Sequence, residues 1–320
     1  MMMPAPDDSP FRAYARQVTE KITSADLVAR FPQCQGWLKA HVADLRDWQM
    51  ALPLLACRSV GGSLEDGLAV ASAWCPFCLA AVILDHVEDG EFTPDEFAPS
   101  TAQATNLGTA LLFLCFHSLA SVNDPGSAAR AGAVFSGQGF NATTGQAQSL
   151  AAAPSTPRSV DEALDAYWQE IILKSGCIYK AAAAGGAAAG GADERDIAGL
   201  GSYGTALGVI VQLLDDGSDL LKTSQDDVIQ SWEVSLPLLL YLLASGEQQV
   251  VFPALRTRAE WQERLREAKV IESFSAILSQ WQTRALESIQ DLSLLPEEKK
   301  LLGALPTLML ERVENLNITA

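Results

Sequence analysis

Basic residues are scarce in this chain: 22 Lys and Arg stand against 39 Asp and Glu, a net charge of −17. That balance lacks the cationic footprint that nucleic acid or an anionic membrane surface requires, and both are excluded as expected partners. No apolar run reaches about 18 uninterrupted residues, so no membrane span is expected. The first fifteen residues, MMMPAPDDSPFRAYA, carry acidic side chains and no apolar centre, unlike a secretory signal. Cysteine is sparse and scattered (34, 57, 75, 78, 115 and 177), and five of the six lie in apolar stretches, which fits reduced core thiols and a cytoplasmic protein. Cys75-Pro76-Phe77-Cys78 has half-site spacing, but with no second pair and no βαβ pattern it reads as core. Strand-like alternation and internal repeats are also missing. The expectation is one all-α domain spanning residues 1–320.

What the chain does have is apolar residues, 48% of the total, and two places where apolar runs end in carboxylates. The stretch from Gly204 to Leu221 closes on Asp215, Asp216 and Asp219. Asp215 and Asp219 are four apart, one turn above each other on a helix, where like charges cost roughly 0.2–0.5 kcal/mol. Burying them beside Val209, Ile210, Val211, Leu213 and Leu214 costs far more unless a cation is present. A second apolar run, Val82-Ile83-Leu84, leads into Asp85-His86-Val87-Glu88-Asp89, and Asp85 and Asp89 repeat the spacing. Two such helices facing each other across a bundle core form a metal site. Hard oxygen ligands without a second histidine favour Mg²⁺ over zinc. The competing reading is two solvated acidic helix ends.

Along the chain, residues 1–20 read as a ragged or lightly docked start. Ser24-Ala25-Asp26 can cap a short helix to Phe31, residues 36–45 are helical by composition, and residues 48–60 form an apolar helix closed by Gly61-Gly62. Ser63-Leu64-Glu65-Asp66 caps the next helix, which runs to about Asp89, with Pro76 expected to kink it. Stepping back from Asp85 by helical spacing puts Ala81, Phe77 or Cys78, and Trp74 on its inner face. Residues 106–121 make a third apolar helix. The Gly-, Ala- and Ser-rich residues 123–144 read as short helices and loops, and residues 151–157 as a loop. Ser159 to Glu162 caps a helix carrying Tyr167, Trp168 and Lys174. It fades into an Ala/Gly tract, residues 181–192, whose small side chains point to close helix–helix approach. A polar loop (residues 222–227), an apolar helix from Leu236 and two or three amphipathic helices with Trp261 and Trp281 close the chain.

Over roughly residues 40–245 the order of elements resembles the trans-isoprenyl diphosphate synthase (polyprenyl synthetase) family. Gly145-Gln146 is similar to the family's Gly-Gln, and Lys174-Ser175-Gly176 to its Lys-Thr-Gly. Tyr203-Gly204 through Gln212-Leu213-Leu214-Asp215-Asp216-Gly217-Ser218-Asp219 is similar to its second aspartate-rich motif, and Ser235-Leu236-Pro237 to its Thr-Leu-Pro. The resemblance implies a large antiparallel helical bundle, an allylic prenyl diphosphate as substrate and a homodimer. It makes Asp85, Asp89, Asp215 and Asp219 ligands of Mg²⁺, with Asp216 in support, and sets Lys174 and Gln212 against the diphosphate or the developing cation. Ala81, Phe77 and Trp74 then lie along the substrate, where the aromatic faces either stabilise a carbocation or serve as ordinary core.

The departures are as informative. His86 stands where the family has a second aspartate, either as a solvent-facing neighbour or as a base, and the part of Glu88 is open too. The family's basic stretch for isopentenyl diphosphate is replaced by Trp48-Gln49-Met50-Ala51-Leu52-Pro53, and residues 91–105 hold no basic residue. The loop after Asp219 is shortened, Glu233 replaces a lysine, and Lys222 is a partial substitute at best. Binding a second diphosphate without a basic cluster in a chain at −17 is unfavourable. The first expectation is therefore an enzyme that ionises one allylic diphosphate, with a terpene-synthase-like fate of the cation. The second is a chain-elongating prenyltransferase, in which small Ala80 and Ala81 leave room above a floor of Phe77 or Trp74. The third is a non-catalytic partner subunit.

Overall fold

The computed structural model describes residues 10–42, 45–94, 98–151, 159–221, 234–250 and 257–314. An apolar stripe at Phe11, Ala15, Val18 and Ile22 makes α1 (Pro10–Thr23) a packed helix rather than a loose start, and it docks on α4 (Asp47–Ser59). The stripe has helical spacing but is interrupted by charged neighbours, which hides it in the composition. Between them lie α2 (Asp26–Ala29) and α3 (Pro32–His41), the latter beginning earlier than composition indicates, at a proline suited to a first turn. Next, α5 (Leu64–Glu88) starts where Ser63 Oγ accepts the Asp66 N–H at 3.0 Å. It ends at Gly90, whose φ of 76° is left-handed and stops the helix. Pro76 lies inside α5, which nevertheless continues as one helix.

Then come α6 (Thr101–Leu119), lying along α5, and α7 (Pro125–Ala151). Helix α7 corrects the expectation for residues 123–144: from Pro125 on they belong to one long helix. Asp124 Oδ2 accepts the Ser127 N–H at 2.7 Å to start it, behind a proline at its first position. Its glycines serve close approach. A Cβ on Gly139 would sit 3.2 Å from the Phe77 ring, and one on Gly145 2.7 Å from Leu173 Cβ. The loop expected over residues 151–157 falls, beyond Ala151, outside the described residues.

A reciprocal Ser159–Glu162 capping box begins α8 (Val160–Ile171). One π-helical turn, Ile172–Gly176, joins it to α9 (Cys177–Ala189), and α10 (Glu194–Leu221) follows. The Ala/Gly tract does what its small side chains imply: α9 packs on α4, α5, α7 and α10 at once. A Cβ on Gly186 would strike the Pro53 carbonyl, and one on Gly190 would lie 2.6 Å from the Cys57 carbonyl oxygen. Gly204 and Gly208 of α10 meet the backbone of Tyr179 and Ser175 in the same way.

The chain closes with α11 (Leu236–Ala244), α12 (Arg258–Glu267), α13 (Val270–Gln290) and α14 (Pro296–Glu314). The polar loop after α10, with Lys222 and Glu233, lies outside the described residues. Among the described residues there is no strand, only an isolated bridge between Ser159 and Gln249. The architecture is a single-domain, all-α antiparallel bundle. Two helices, residues 64–88 and 194–218, are long and apolar enough to cross a membrane, but 78% and 61% of their apolar windows are buried inside the bundle. Their apolarity is therefore used as core.

Candidate active site

Asp85 and Asp89 share one face at the end of α5, and the ammonium of Lys174, from the π turn, lies against them. Its Nζ is 2.9 Å from Asp85 Oδ1, 3.9 Å from Asp89 Oδ2 and 4.0 Å from Glu170 Oε1. Single π turns of this kind recur at functional sites because they re-aim one side chain out of helical register. Burial pushes the Lys174 pKa down, but the Asp85 hydrogen bond and the charges of Asp85, Asp89 and Glu170 outweigh it and hold the pKa above the ordinary lysine value. Glu88 moves the other way for an acid. Burial and then the charges of Asp85 and Asp89 raise its pKa above the usual carboxylate range.

Behind Asp89 stands Gln146 of α7. Its Nε2 donates to Asp89 Oδ1 at 2.7 Å, while its Oε1 is buried with no hydrogen-bond partner. Ser149, almost one turn on, donates to Glu170 Oε1 at 3.0 Å. Gln146 was not among the expected site residues. Its only signal in the sequence is the Gly-Gln pair and its place on the α7 inner stripe with Ala131, Phe135 and Gly145.

The neighbour of Lys174 reaches the other acidic helix. Ser175 Oγ donates to Gln212 Oε1 at 2.8 Å, and Gln212 Nε2 donates to Asp216 Oδ1 at 3.0 Å. Asp216 Oδ2 accepts Tyr167 OH at 2.7 Å and the Leu236 N–H at 3.4 Å. Burial and then the Asp216 charge push the Tyr167 phenol far above its ordinary pKa, so it stays a donor. Asp216 thus faces inward as a tie between α8, α10 and α11. Asp215 is exposed on α10, and Asp219 belongs to the same helix, its side chain outside the described residues. Two consecutive residues, Lys174 and Ser175, therefore link the α5 carboxylates on one side to Gln212 and Asp216 of α10 on the other.

The remaining expected residues line the interior beside them. Trp74 is fully buried, and its Nε1 donates to the Ile178 carbonyl at 2.8 Å. Phe77 meets Phe135 edge to face, with centroids 5.4 Å apart, and Ala81 is half-buried one turn before Asp85. His86 is half-buried, and its Nδ1 lies 2.9 Å from the Val82 carbonyl oxygen of its own helix. At the start of α4, Gln49 Nε2 donates to Tyr179 OH, and Trp48 stacks on the Tyr179 ring with centroids 5.9 Å apart. Burial pushes the Tyr179 phenol well up, nearby Cys78 and the Asp215 carboxylate push it further, and Gln49 and Arg46 pull it back.

Among the described residues no three His, Cys, Asp or Glu side chains converge as a ready metal cage. The donors fit a hard divalent cation all the same. Asp85 and Asp89 gather on a single cation, Lys174, and a buried amide oxygen beside them is unpartnered.

The chain is a member of the Polyprenyl synthetase family, whose model matches residues 97–271, more than half of its length. The matched stretch begins just past Asp85 and Asp89. Among solved structures the chain is similar to a polyprenyl synthetase from Streptomyces coelicolor A3(2), at 21% identity and TM-score 0.73 over 93% of this chain and 98% of that one. It is similar to the geranylgeranyl pyrophosphate synthetase of the archaeon Geoglobus acetivorans, at 19% identity and TM-score 0.78 over 94% and 97%. A third is a polyprenyl synthase from Caulobacter crescentus CB15 in complex with calcium and isoprenyl diphosphate, at 19% identity and TM-score 0.70 over 94% of each chain. No curated protein sequence matches significantly.

Proposed function

We propose that this protein is a Mg²⁺-dependent class I isoprenoid synthase that ionises one allylic prenyl diphosphate without condensing it with isopentenyl diphosphate. The cation then cyclises, loses a proton, captures water or alkylates a non-phosphorylated acceptor. The supporting observation is the contrast between the two ends of the site. Asp85, Asp89 and Lys174 form a charged cluster, whereas Trp48 and Gln49, in place of the family's basic stretch, make neutral contacts to Tyr179. Asp85, Asp89, Asp215 and Asp219 would hold Mg²⁺, which when bound would supply charge neutralisation for the leaving diphosphate. Lys174 adds an ammonium for a diphosphate oxygen, and Gln212, pinned by Ser175 and Asp216, keeps the π turn in position. Phe77, Phe135 and Ala81 exclude water from the prenyl chain.

One observation favours chain elongation as a second reading. Arg46, at the start of α4, is near enough to bear on the Tyr179 phenol and offers a cation on that side. Incubation with Mg²⁺ and geranyl, farnesyl or geranylgeranyl diphosphate, with and without isopentenyl diphosphate, separates the two by mass spectrometry. Products without isopentenyl diphosphate support the first reading; products only in its presence overturn it in favour of elongation.

The same proposal has the enzyme working as a cytoplasmic homodimer. All six cysteines are free and buried. Phe113 of α6 and Phe140 of α7 are 71% and 74% exposed, and Phe116 adds to them. Residues 101–123 and 131–151 contain no Lys, Arg, Asp or Glu, in a chain that is 19% charged. A neutral aromatic face lets two copies at −17 meet without like-charge contact, and a second copy is its proposed occupant.

A further inference from the structure

Gln146 is 6% exposed, and its amide is used at one end only. Nε2 donates to Asp89 Oδ1 at 2.7 Å and also bears on Glu88. That contact fixes the orientation of the amide: turned over, its oxygen would face a carboxylate oxygen at the same distance. Oε1 is therefore a buried acceptor without a donor, a costly arrangement that native interiors avoid unless a ligand completes it. The acidic neighbours Asp85, Glu88 and Asp89 are acceptors when ionised. The nearby ammonium of Lys174 is directed at Asp85 Oδ1.

We propose that Gln146 is a positioning residue of the metal–diphosphate complex, resting on the reading that Asp85 and Asp89 hold the cation. Nε2 holds Asp89 Oδ1, leaving Oδ2, the oxygen that faces Lys174, for the metal. Oε1 accepts a hydrogen bond from a water coordinated to the cation. Mg²⁺ dehydrates reluctantly and keeps several waters, so a donor of this kind arrives with the ion. Partners one step behind the ligands typically change metal affinity by 10–100-fold when removed.

The test is Gln146→Met, which keeps the length and removes both polar ends, with Gln146→Leu beside it. Melting temperature is measured on the full chain alone, with Mg²⁺, with inorganic pyrophosphate and with both. The expected result is a metal-free melting temperature equal to or above the parent's, because an orphaned buried oxygen is gone. The Mg²⁺ concentration for the half-maximal shift with pyrophosphate should rise about tenfold or more. A variant that melts lower without metal yet responds to Mg²⁺ and pyrophosphate like the parent assigns Gln146 to packing and overturns the proposal, as does failure of both variants to fold. If the parent itself shows no Mg²⁺-dependent shift, the metal reading and this inference fall together. If the parent shifts and Gln146→Met shifts equally, only this inference falls.

Discussion

Lys174 Nζ lies 2.9 Å from Asp85 Oδ1 and 3.9 Å from Asp89 Oδ2, so the chain carries its own cation between the carboxylates of its first acidic cluster. On the proposed reading, a divalent ion held by both carboxylates would compete with that ammonium and would free Lys174 to meet a diphosphate oxygen. Replacement by Met should therefore tighten Mg²⁺ binding in the absence of substrate, measured by titration calorimetry, while turnover falls by about 10²-fold through loss of a charge-assisted contact.

The pH dependence of that pair has a definite sign. The raised pKa means that Lys174 contributes stability fully below the ordinary lysine value and loses it only as pH rises through the higher folded one. The stability difference between the parent and Lys174→Met should be flat from neutral pH to mildly alkaline pH and shrink above it, in denaturant titrations at each pH.

Glu88 tests the acidic crowding. Its raised pKa means that the native state holds its proton more tightly than the unfolded chain, so metal-free stability falls as pH rises through that window. Glu88→Gln should be more stable than the parent at neutral pH by no more than ~0.5 kcal/mol, because the side chain is mostly exposed. The two should melt together below the window.

Tyr167 and Asp216 tie three helices. Tyr167→Phe removes a donor to a charged acceptor and should cost about 1.5–3 kcal/mol in urea unfolding. Gly208→Ala drives a methyl into the Ser175 carbonyl, beneath the turn that carries Lys174, and should cost about 1–3 kcal/mol. Gly217→Ala, which meets only the Phe274 ring at 3.2 Å, should cost less.

The aromatic face of α6 and α7 predicts an association state. Phe113→Asp combined with Phe140→Asp should halve the sedimenting mass of the parent and leave its helical circular dichroism unchanged.

That Asp85 and Asp89 close one helix and Asp215 and Asp219 lie on another was legible because the apolar runs before them carry helical spacing. The Ala/Gly tract was legible because small side chains have one structural use inside a bundle. Helix α7 was not: Gly and Ser lower helix propensity, and the burial of Ala131, Phe135 and Gly145 that offsets this exists only in the packed state. The stripe of α1 hid behind its charged neighbours for the same reason. The pairings of Gln146 with Asp89 and of Tyr167 with Asp216, across 57 and 49 positions, exist only in the packed state, and in the sequence Gln146 shows only through the Gly-Gln pair.

Because α9 meets its neighbours backbone to backbone, it has no side-chain volume to trade. A larger residue at Gly186 or Gly190 collides with carbonyl groups of α4 that have nowhere to go. The contact between α5 and α7 at this point is adjustable, since Gly139 faces the Phe77 ring, a side chain that can be trimmed to make room. Divergence in the shape of the interior is thereby channelled to α5 and α7, leaving the hub helix as the part of the scaffold least able to drift.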